Sequence, residues 1–208
     1  MIREIHLSTI ILIAATIWGV LLIIDGTTLS LDFITPFSEV IGVLMIIIGA
    51  FDRYLWRLKI LQGWFVKKPD LNGTWKVRLS SSYKKDTNKK KKNEITAYLA
   101  IRQNFSDVRL RFMTKESFSE VLSADLSETE DKTYKLITVY RNEPRIQKRN
   151  HSPIHHGVLI LYIPEINPSI IKGFYWTDRS TKGEVKILEK RKKVLNDYNA
   201  AKKLFKNK

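Results

Sequence analysis

The sequence has no cysteine among its 208 residues. That excludes a disulfide scaffold, a thiolate zinc site, an iron–sulfur cluster and a cysteine nucleophile. The chain is also short of acid: 21 Asp and Glu stand against 36 Lys and Arg, a formal charge of +15. A chain this basic attracts phosphate, nucleic acid or an anionic lipid surface. Enzyme signatures are missing as well. There is no Walker loop, no G-x-G-x-x-G and no G-x-S-x-G. The acids are scattered, without a spacing that suggests a paired acid and base. His151, His155 and His156 cluster in a Pro-containing loop, but they lack the i, i+4 pair with an intervening Glu and an evident fourth ligand. A strand-entry histidine with a hydrogen-bonding role is the favoured reading. No catalytic residue, metal or cofactor is expected.

The charge that is present is unevenly spread. Residues 1–63 carry four basic and five acidic side chains, whereas residues 64–208 carry 32 and 16. The expected organisation is a two-helix transmembrane hairpin over 1–63, a β-barrel over 64–190, and a basic tail over 191–208. Leu7 to Ile24 is a run of 18 residues without a charge. As a helix it would be about 27 Å long, close to the ~30 Å of a bilayer core. A cleaved signal peptide would need a more basic start and an A-x-A-like site, and the run ends instead in Asp25-Gly26-Thr27. A second apolar stretch, Val40 to Phe51, becomes long enough if its helix begins at Thr35-Pro36 and continues through Tyr54 and Trp56. Glu39 then meets the helix N-terminus, which favours a carboxylate. The connecting loop holds Asp25 and Asp32 and no cation, while Arg53, Arg57, Lys59, Lys67 and Lys68 follow the second helix. The positive-inside rule places both termini in the cytoplasm. Ala15 with Gly19, and Gly42 with Gly49, give small faces that let helices approach.

From Asn72 onward the pattern changes to period two. Trp75, Val77 and Leu79 alternate with Thr74, Lys76 and Arg78. Similar runs occupy Glu94–Asn104, Asp107–Thr114, Phe118–Leu126, Thr133–Arg141, His156–Ile163, Ile170–Thr177 and Glu184–Lys190. Asn72-Gly73, Lys182-Gly183 and Pro144, Pro153, Pro164 and Pro168 punctuate them. No helical pattern of a dozen residues intervenes, which excludes a parallel α/β sheet. The reading is all-β: eight antiparallel strands in a closed barrel or a sandwich, the preferred form being a small up-and-down, lipocalin-like barrel. Such a barrel holds a packed core or one small ligand. The Lys84–Lys92 loop reads as a solvated hairpin tip. Val194, Leu195, Tyr198, Ala201, Leu204 and Phe205 lie at helical spacing, and packing on the barrel is the default for that face.

Hydrogen bonders and aromatics crowd the strand ends. Tyr140-Arg141-Asn142-Glu143-Pro144 closes one strand, His156-Gly157 opens the next, and Gly173 to Gly183 carries Tyr175, Thr177, Arg179 and Thr181 into a turn. Aromatic faces stack on bases, Arg forks grip phosphate, and hydroxyls or amides read base edges. Taken singly, each residue also has an ordinary structural reading as core, turn former or solvated surface.

In combination these residues resemble the CBASS antiphage effectors built from two transmembrane helices and a β-strand-rich sensor barrel. The resemblance rests on the helix pair, Leu71-Asn72-Gly73-Thr74-Trp75, Gln103, Thr114 with Ser117 and Ser119, Tyr140-x-Asn142-x-Pro144, His156-Gly157, and Gly173-x-Tyr175-x-Thr177-x-Arg179-x-Thr181-x-Gly183. It implies a two-pass protein of the bacterial inner membrane. A partner nucleotidyltransferase would make a cyclic dinucleotide, and the cytoplasmic barrel would bind it. The protein would form a homo-oligomer, and the helices would disrupt the lipid bilayer in abortive infection. The candidate ligand residues are Tyr140, Asn142, His156, Tyr175, Thr177, Arg179 and Thr181. Arg179 is assigned to phosphate, and Tyr175 with Tyr140 to base stacking. Hydrogen bonds are assigned to Asn142, Thr177 and Thr181. Arg102, Arg109 and Arg111 are reserve phosphate ligands, depending on which strand face points inward. Nucleic acid is not an expected partner. Rival readings are a membrane-tethered lipid-binding barrel, a membrane-anchored nucleic-acid binder with steep salt dependence, and, least favoured, a membrane-bound enzyme.

Overall fold

A computed structural model of the chain describes residues 7–24, 26, 31–82, 93–166, 168 and 171–206. The Lys84–Lys92 loop and Ile170 lie outside the described residues, as do the side chains of Thr35, Pro36 and Glu39. The chain forms two compact units, residues 1–53 and residues 54–208.

The first unit contains α1 (Leu7–Ile24) and α2 (Leu31–Arg53). The second helix starts at Leu31, not at Pro36 as the sequence suggests. Pro36 therefore sits in its second turn. There the helix forgoes one backbone hydrogen bond close to an end whose first four N–H groups have no intrahelical partner anyway. Over the described residues, no helix is long and apolar enough to cross a membrane. The structure thus establishes two consecutive helices and not their insertion.

The second unit is a closed barrel of eight antiparallel strands in the order β1-β2-β3-β4-β5-β6-β7-β8. The strands are β1 (Gly73–Ser81), β2 (Asn93–Gln103), β3 (Val108–Met113), β4 (Ser117–Glu128), β5 (Tyr134–Pro144), β6 (His155–Ile163), β7 (Lys172–Thr177) and β8 (Lys182–Arg191). Alternation dictates the core. Trp75, Val77 and Leu79 of β1 meet Leu99 and Ile101 of β2, Leu136 of β5, Leu161 and Ile163 of β6, and Val185 and Ile187 of β8 in one buried cluster. Each such side chain contributes roughly 1.5–3 kcal/mol on burial.

One end of the barrel is sealed by the segment that leads into it. The Gln103 side chain, 2% exposed, accepts from Leu71 N (2.8 Å) and donates to the Pro69 carbonyl (3.0 Å). Asn72 pairs with the Gln103 backbone in both directions, at 2.9 and 2.8 Å. Trp75 Nε1 donates to Leu71 O and the Tyr134 hydroxyl to Lys67 O. The Leu71–Trp75 motif and Gln103 therefore build a plug.

The C-terminal helix α3 (Tyr198–Leu204) is capped by Asp197, whose carboxylate accepts from Ala200 N at 2.8 Å. Its Ala201 and the following Phe205 cover Tyr98, Ala100 and Met113 on the outside of β2 and β3. Phe205 stacks on Tyr98 with ring centroids 5.5 Å apart. The apolar face of the tail is thus spent on the barrel wall.

Candidate functional site

The opposite end of the barrel is polar. There the inward positions, which are Leu and Ile in the middle of the strands, become Ser81, Ser119, Tyr140, Asn142, His155, Tyr175 and Thr177. Pairing brings them level: Ser119 faces Asn142 across β4 and β5, Asn142 faces His155 across β5 and β6, and Gly157 faces both Tyr140 and Thr177. Ser119 Oγ donates to Asn142 Oδ1 (3.1 Å), and the Tyr175 hydroxyl donates to Ser81 Oγ (2.9 Å). These bonds hold hydroxyls and an amide at the rim of an apolar interior, where a buried polar group without a partner costs about 1–3 kcal/mol.

Arg179 reaches this rim from the β7–β8 turn. Thr177 and Thr181 close a three-residue loop. Thr177 N donates to Thr181 O (2.9 Å), Ser180 N to Thr177 O (3.1 Å), and the two threonine hydroxyls lie 2.6 Å apart. Ser180 takes φ 58, the left-handed position such loops require. Threonine at 177 and 181 therefore shapes the turn that carries Arg179. The guanidinium donates to Ser152 Oγ (3.1 Å) and lies 3.5 Å from His155 Nε2. Its Nε is buried with no hydrogen-bond partner among the described residues.

His155 is 7% exposed. Its Nδ1 lies 2.9 Å from the Pro153 carbonyl. Only a protonated Nδ1 can donate there, which leaves Nε2 as an acceptor facing Arg179. Burial is the main force holding its pKa below the ordinary imidazole value; the Pro153 hydrogen bond opposes this and the Arg179 charge adds to it. Burial also pushes the Tyr140 phenol far above its ordinary value, with Tyr175 adding to the shift and Arg179 opposing it. Tyr140 thus remains a neutral donor.

His155 supplies a pH prediction. Its imidazole is charged in the unfolded chain below about 6.5 but resists protonation when folded. Its contribution is complete above that value and is lost as pH falls from there through the depressed folded pKa. The melting temperature is expected to drop with acidification in this window, and His155→Gln should flatten that part of the profile. Asp178, whose carboxyl is held below the ordinary range chiefly by the His156 backbone N–H, titrates in a more acid window.

Six of the seven sequence-derived candidates lie at this end as the pattern suggests: Tyr140, Asn142, Tyr175 and Thr177 on inward strand positions, Arg179 and Thr181 in the turn. His156 does not point in. It is exposed on the outer wall, where its Nδ1 lies 3.5 Å from Asp178 and its backbone N–H donates to the same carboxylate. Alternation counted back from Leu159 and Leu161 gives the interior place to His155, the first residue of β6, and turns His156 out. The reserve arginines also face outward. Arg109 pairs with Asp107 at 2.8 Å, Arg111 lies over the Phe118 ring at 4.5 Å, and Arg102 alternates with the buried Ile101 and Gln103. Ser81 and Ser152 escaped the sequence reading, and His155 entered it as a strand-entry histidine with a hydrogen-bonding role, which its contact with the Pro153 carbonyl matches, and not as a ligand candidate. For His155 the available signal was parity with Leu159 and Leu161. Among the described residues no three His, Asp or Glu side chains gather as a metal would need.

Among the described residues, two recesses on the wall stand out. One, of about 580 Å³, shares Ser81, Tyr175 and Gly183 with the polar end and continues past Trp176 and Lys182. That size falls in the range of ~300–1,000 Å³ typical of small-ligand sites. The other, of about 680 Å³, lies where β3 and β4 diverge after pairing over only three positions. Neither recess is lined by Arg179, Tyr140 or Asn142; the arginine, tyrosines, hydroxyls and amide gathered at this barrel end are the groups that bind a phosphate and stack a base.

A family model described as Cap15, cyclic dinucleotide receptor domain, matches residues 66–190. No curated protein matches the chain.

Proposed function

Because the chain belongs to the Cap15 cyclic dinucleotide receptor family of CBASS effectors, we propose that its polar barrel end captures a cyclic dinucleotide and that the captured ligand drives α1 and α2 to disrupt the inner membrane. The observation that carries the ligand site is Arg179, folded over the rim beside Tyr140, Tyr175 and His155, its buried Nε unpaired among the described residues. Two phosphates and two bases ask for that mixture. The charge of +15 draws such an anion from a distance. Arg179 grips a phosphate, Tyr140 and Tyr175 stack the bases, and Asn142 and Ser119 meet base edges. Thr177 and Thr181 hold the turn in place. The test is calorimetry on the full chain in detergent against a panel of cyclic dinucleotides. Binding of at least one, competed by no linear dinucleotide of the same bases, is the expected result; heat from none of them would overturn the reading.

The membrane step rests on the first unit. Leu12, Ile17, Val20 and Ile24 of α1 and Val43, Ile46 and Ile47 of α2 are exposed. So much apolar surface needs a cover that water does not provide. The charge pattern of the flanks favours a two-pass insertion with both termini and the barrel in the cytoplasm. A partner nucleotidyltransferase supplies the signal. Ligand must favour a homo-oligomer over the monomer, since only differential affinity shifts such an equilibrium. Gly42 and Gly49 lie on one face of α2, and a Cβ built on either meets no atom within 4 Å. Gly42→Leu combined with Gly49→Leu is therefore expected to leave the helix and ligand binding intact while abolishing growth arrest in cells that make the ligand. Arrest at the parental level would remove these faces from the mechanism.

A further inference from the structure

Among the described residues of the barrel unit, one side of the outer wall is covered and another is not. Over β2 and β3 the C-terminal helix supplies the cover. Over β5, β6 and β7 the outward positions include the apolar Ile137, Val139, Ile160, Tyr162, Phe174 and Trp176, and cross-strand pairing makes them neighbours. The three aromatics stay 40%, 39% and 43% exposed. They form a ladder, with Tyr162 and Phe174 centroids 5.8 Å apart and Phe174 and Trp176 centroids 5.9 Å apart. Exposed aromatic ladders are unusual on a wall that has only water to face.

Charge identifies the occupant. Lys135, Tyr162, Lys172 and Lys186 lie in one cross-strand row, and Lys182 faces Trp176. Lys135 Nζ sits 5.5 Å from the Tyr162 ring centre. Against these four lysines stand Asp125, opposite Ile137, and Glu184, opposite Phe174; towards the polar end the same outer face also carries the Arg141–Glu143 pair and His156 beside Asp178. Tyrosine and tryptophan with lysine alongside is the composition that settles at a lipid headgroup layer, rings at the interface and ammonium groups among phosphates. A second copy of a chain carrying +15 would bring repulsion to the same wall. We propose that the β5–β6–β7 outer wall is a docking face for an anionic lipid bilayer. The barrel then lies on the membrane through this wall, with its polar end free at the rim.

The proposal takes its setting from the membrane reading above, and the experiment separates the two. The chain has no cysteine, so one can be introduced cleanly for an environment-sensitive fluorophore. Ile160→Cys places it on the docking wall, and Thr96→Cys on the exposed outer face of β2. The full chain is reconstituted with phosphatidylcholine vesicles, with and without phosphatidylglycerol, each doped with headgroup-level quenching lipid. Flotation with the vesicles reports the helices, and quenching reports the wall. The expected result is quenching at position 160 about three-fold stronger than at 96, in phosphatidylglycerol vesicles only. In Lys135→Glu combined with Lys172→Glu and Lys186→Glu, whose near-UV dichroism verifies the fold, that excess disappears, because each surface lysine adds roughly five-fold to partitioning on an anionic leaflet. Flotation with equal quenching at both positions overturns the docking face and leaves the helices standing. Quenching at 160 that ignores phosphatidylglycerol overturns the anionic partner. A chain that does not float overturns both.

Discussion

Arg179→Ala is expected to weaken cyclic dinucleotide binding by roughly 30- to 1,000-fold, about 2–4 kcal/mol, the cost of truncating one partner of a buried charged hydrogen bond. The guanidinium stands on a turn tied by the Thr177 and Thr181 hydroxyls 2.6 Å apart. Ser152 Oγ and the His155 ring hold its terminal nitrogens in place. A ligand phosphate therefore meets a fork whose orientation is already fixed, so little of the attraction is spent on ordering the side chain. Arg179→Lys should fall between the two, because an ammonium keeps the charge and loses the planar fork. The fold should survive either change, since Arg179 packs at the rim and not among the buried core residues. Titration calorimetry on the purified full chain reads the effect. An affinity equal to the parent would place the phosphate elsewhere, with Arg109 and Arg111 at the β3–β4 recess as the next site to substitute.

The barrel was legible because its strands bury one face. Period two in Trp75-x-Val77-x-Leu79 fixes which side chains go inside, and most strands repeat the device, so the strand count follows; β4 breaks it where the register shifts between Val121 and Ser123. The site was legible in composition and less so in parity. At a strand entry the pattern has no earlier residue to anchor it. Counted back from the inward Leu159 and Leu161, parity puts His155 inside and His156 outside; the His156-Gly157 motif drew the reading to the wrong one of two adjacent imidazoles. The same parity argument, applied to Val108 and Leu110, turns Arg109 and Arg111 outward. Gln103 and Asn72 carried a different ambiguity. An amide near a strand end reads equally as ligand or lock, and only the tertiary contacts with Leu71 and Pro69 decide for the lock. Arg179 became a candidate because turn residues and an arginine coincide. That it reaches back to His155 depends on a contact 24 residues away in sequence, which no local pattern contains.

Gly157→Val is expected to destabilise the barrel by about 3 kcal/mol, the upper end of the usual overpacking cost, and to weaken ligand binding with it. Glycine stands at this position because Tyr140 lies across it. A Cβ built on residue 157 would come within 2.5 Å of the Tyr140 hydroxyl, 2.6 Å of its ring and 2.7 Å of the Trp176 carbonyl. The tyrosine could swing away, but the carbonyl belongs to the β6–β7 ladder and cannot move without loosening it. For a unit of this size the melting temperature should fall by roughly 6–12 °C. The ring that moves is the one assigned to stack a ligand base, so affinity should drop by about ten-fold or more, the worth of one base–aromatic stack. Tyr140→Ala, introduced alone, should lose the stack without the strain. Combined with Gly157→Val it should recover part of the stability, because the double variant removes the side chain that the new methyl groups strike, and the two substitutions would then be strongly non-additive. Additive losses in melting temperature would mean that the strain lies wholly in the Trp176 carbonyl, and that Tyr140 is free of Gly157 in solution.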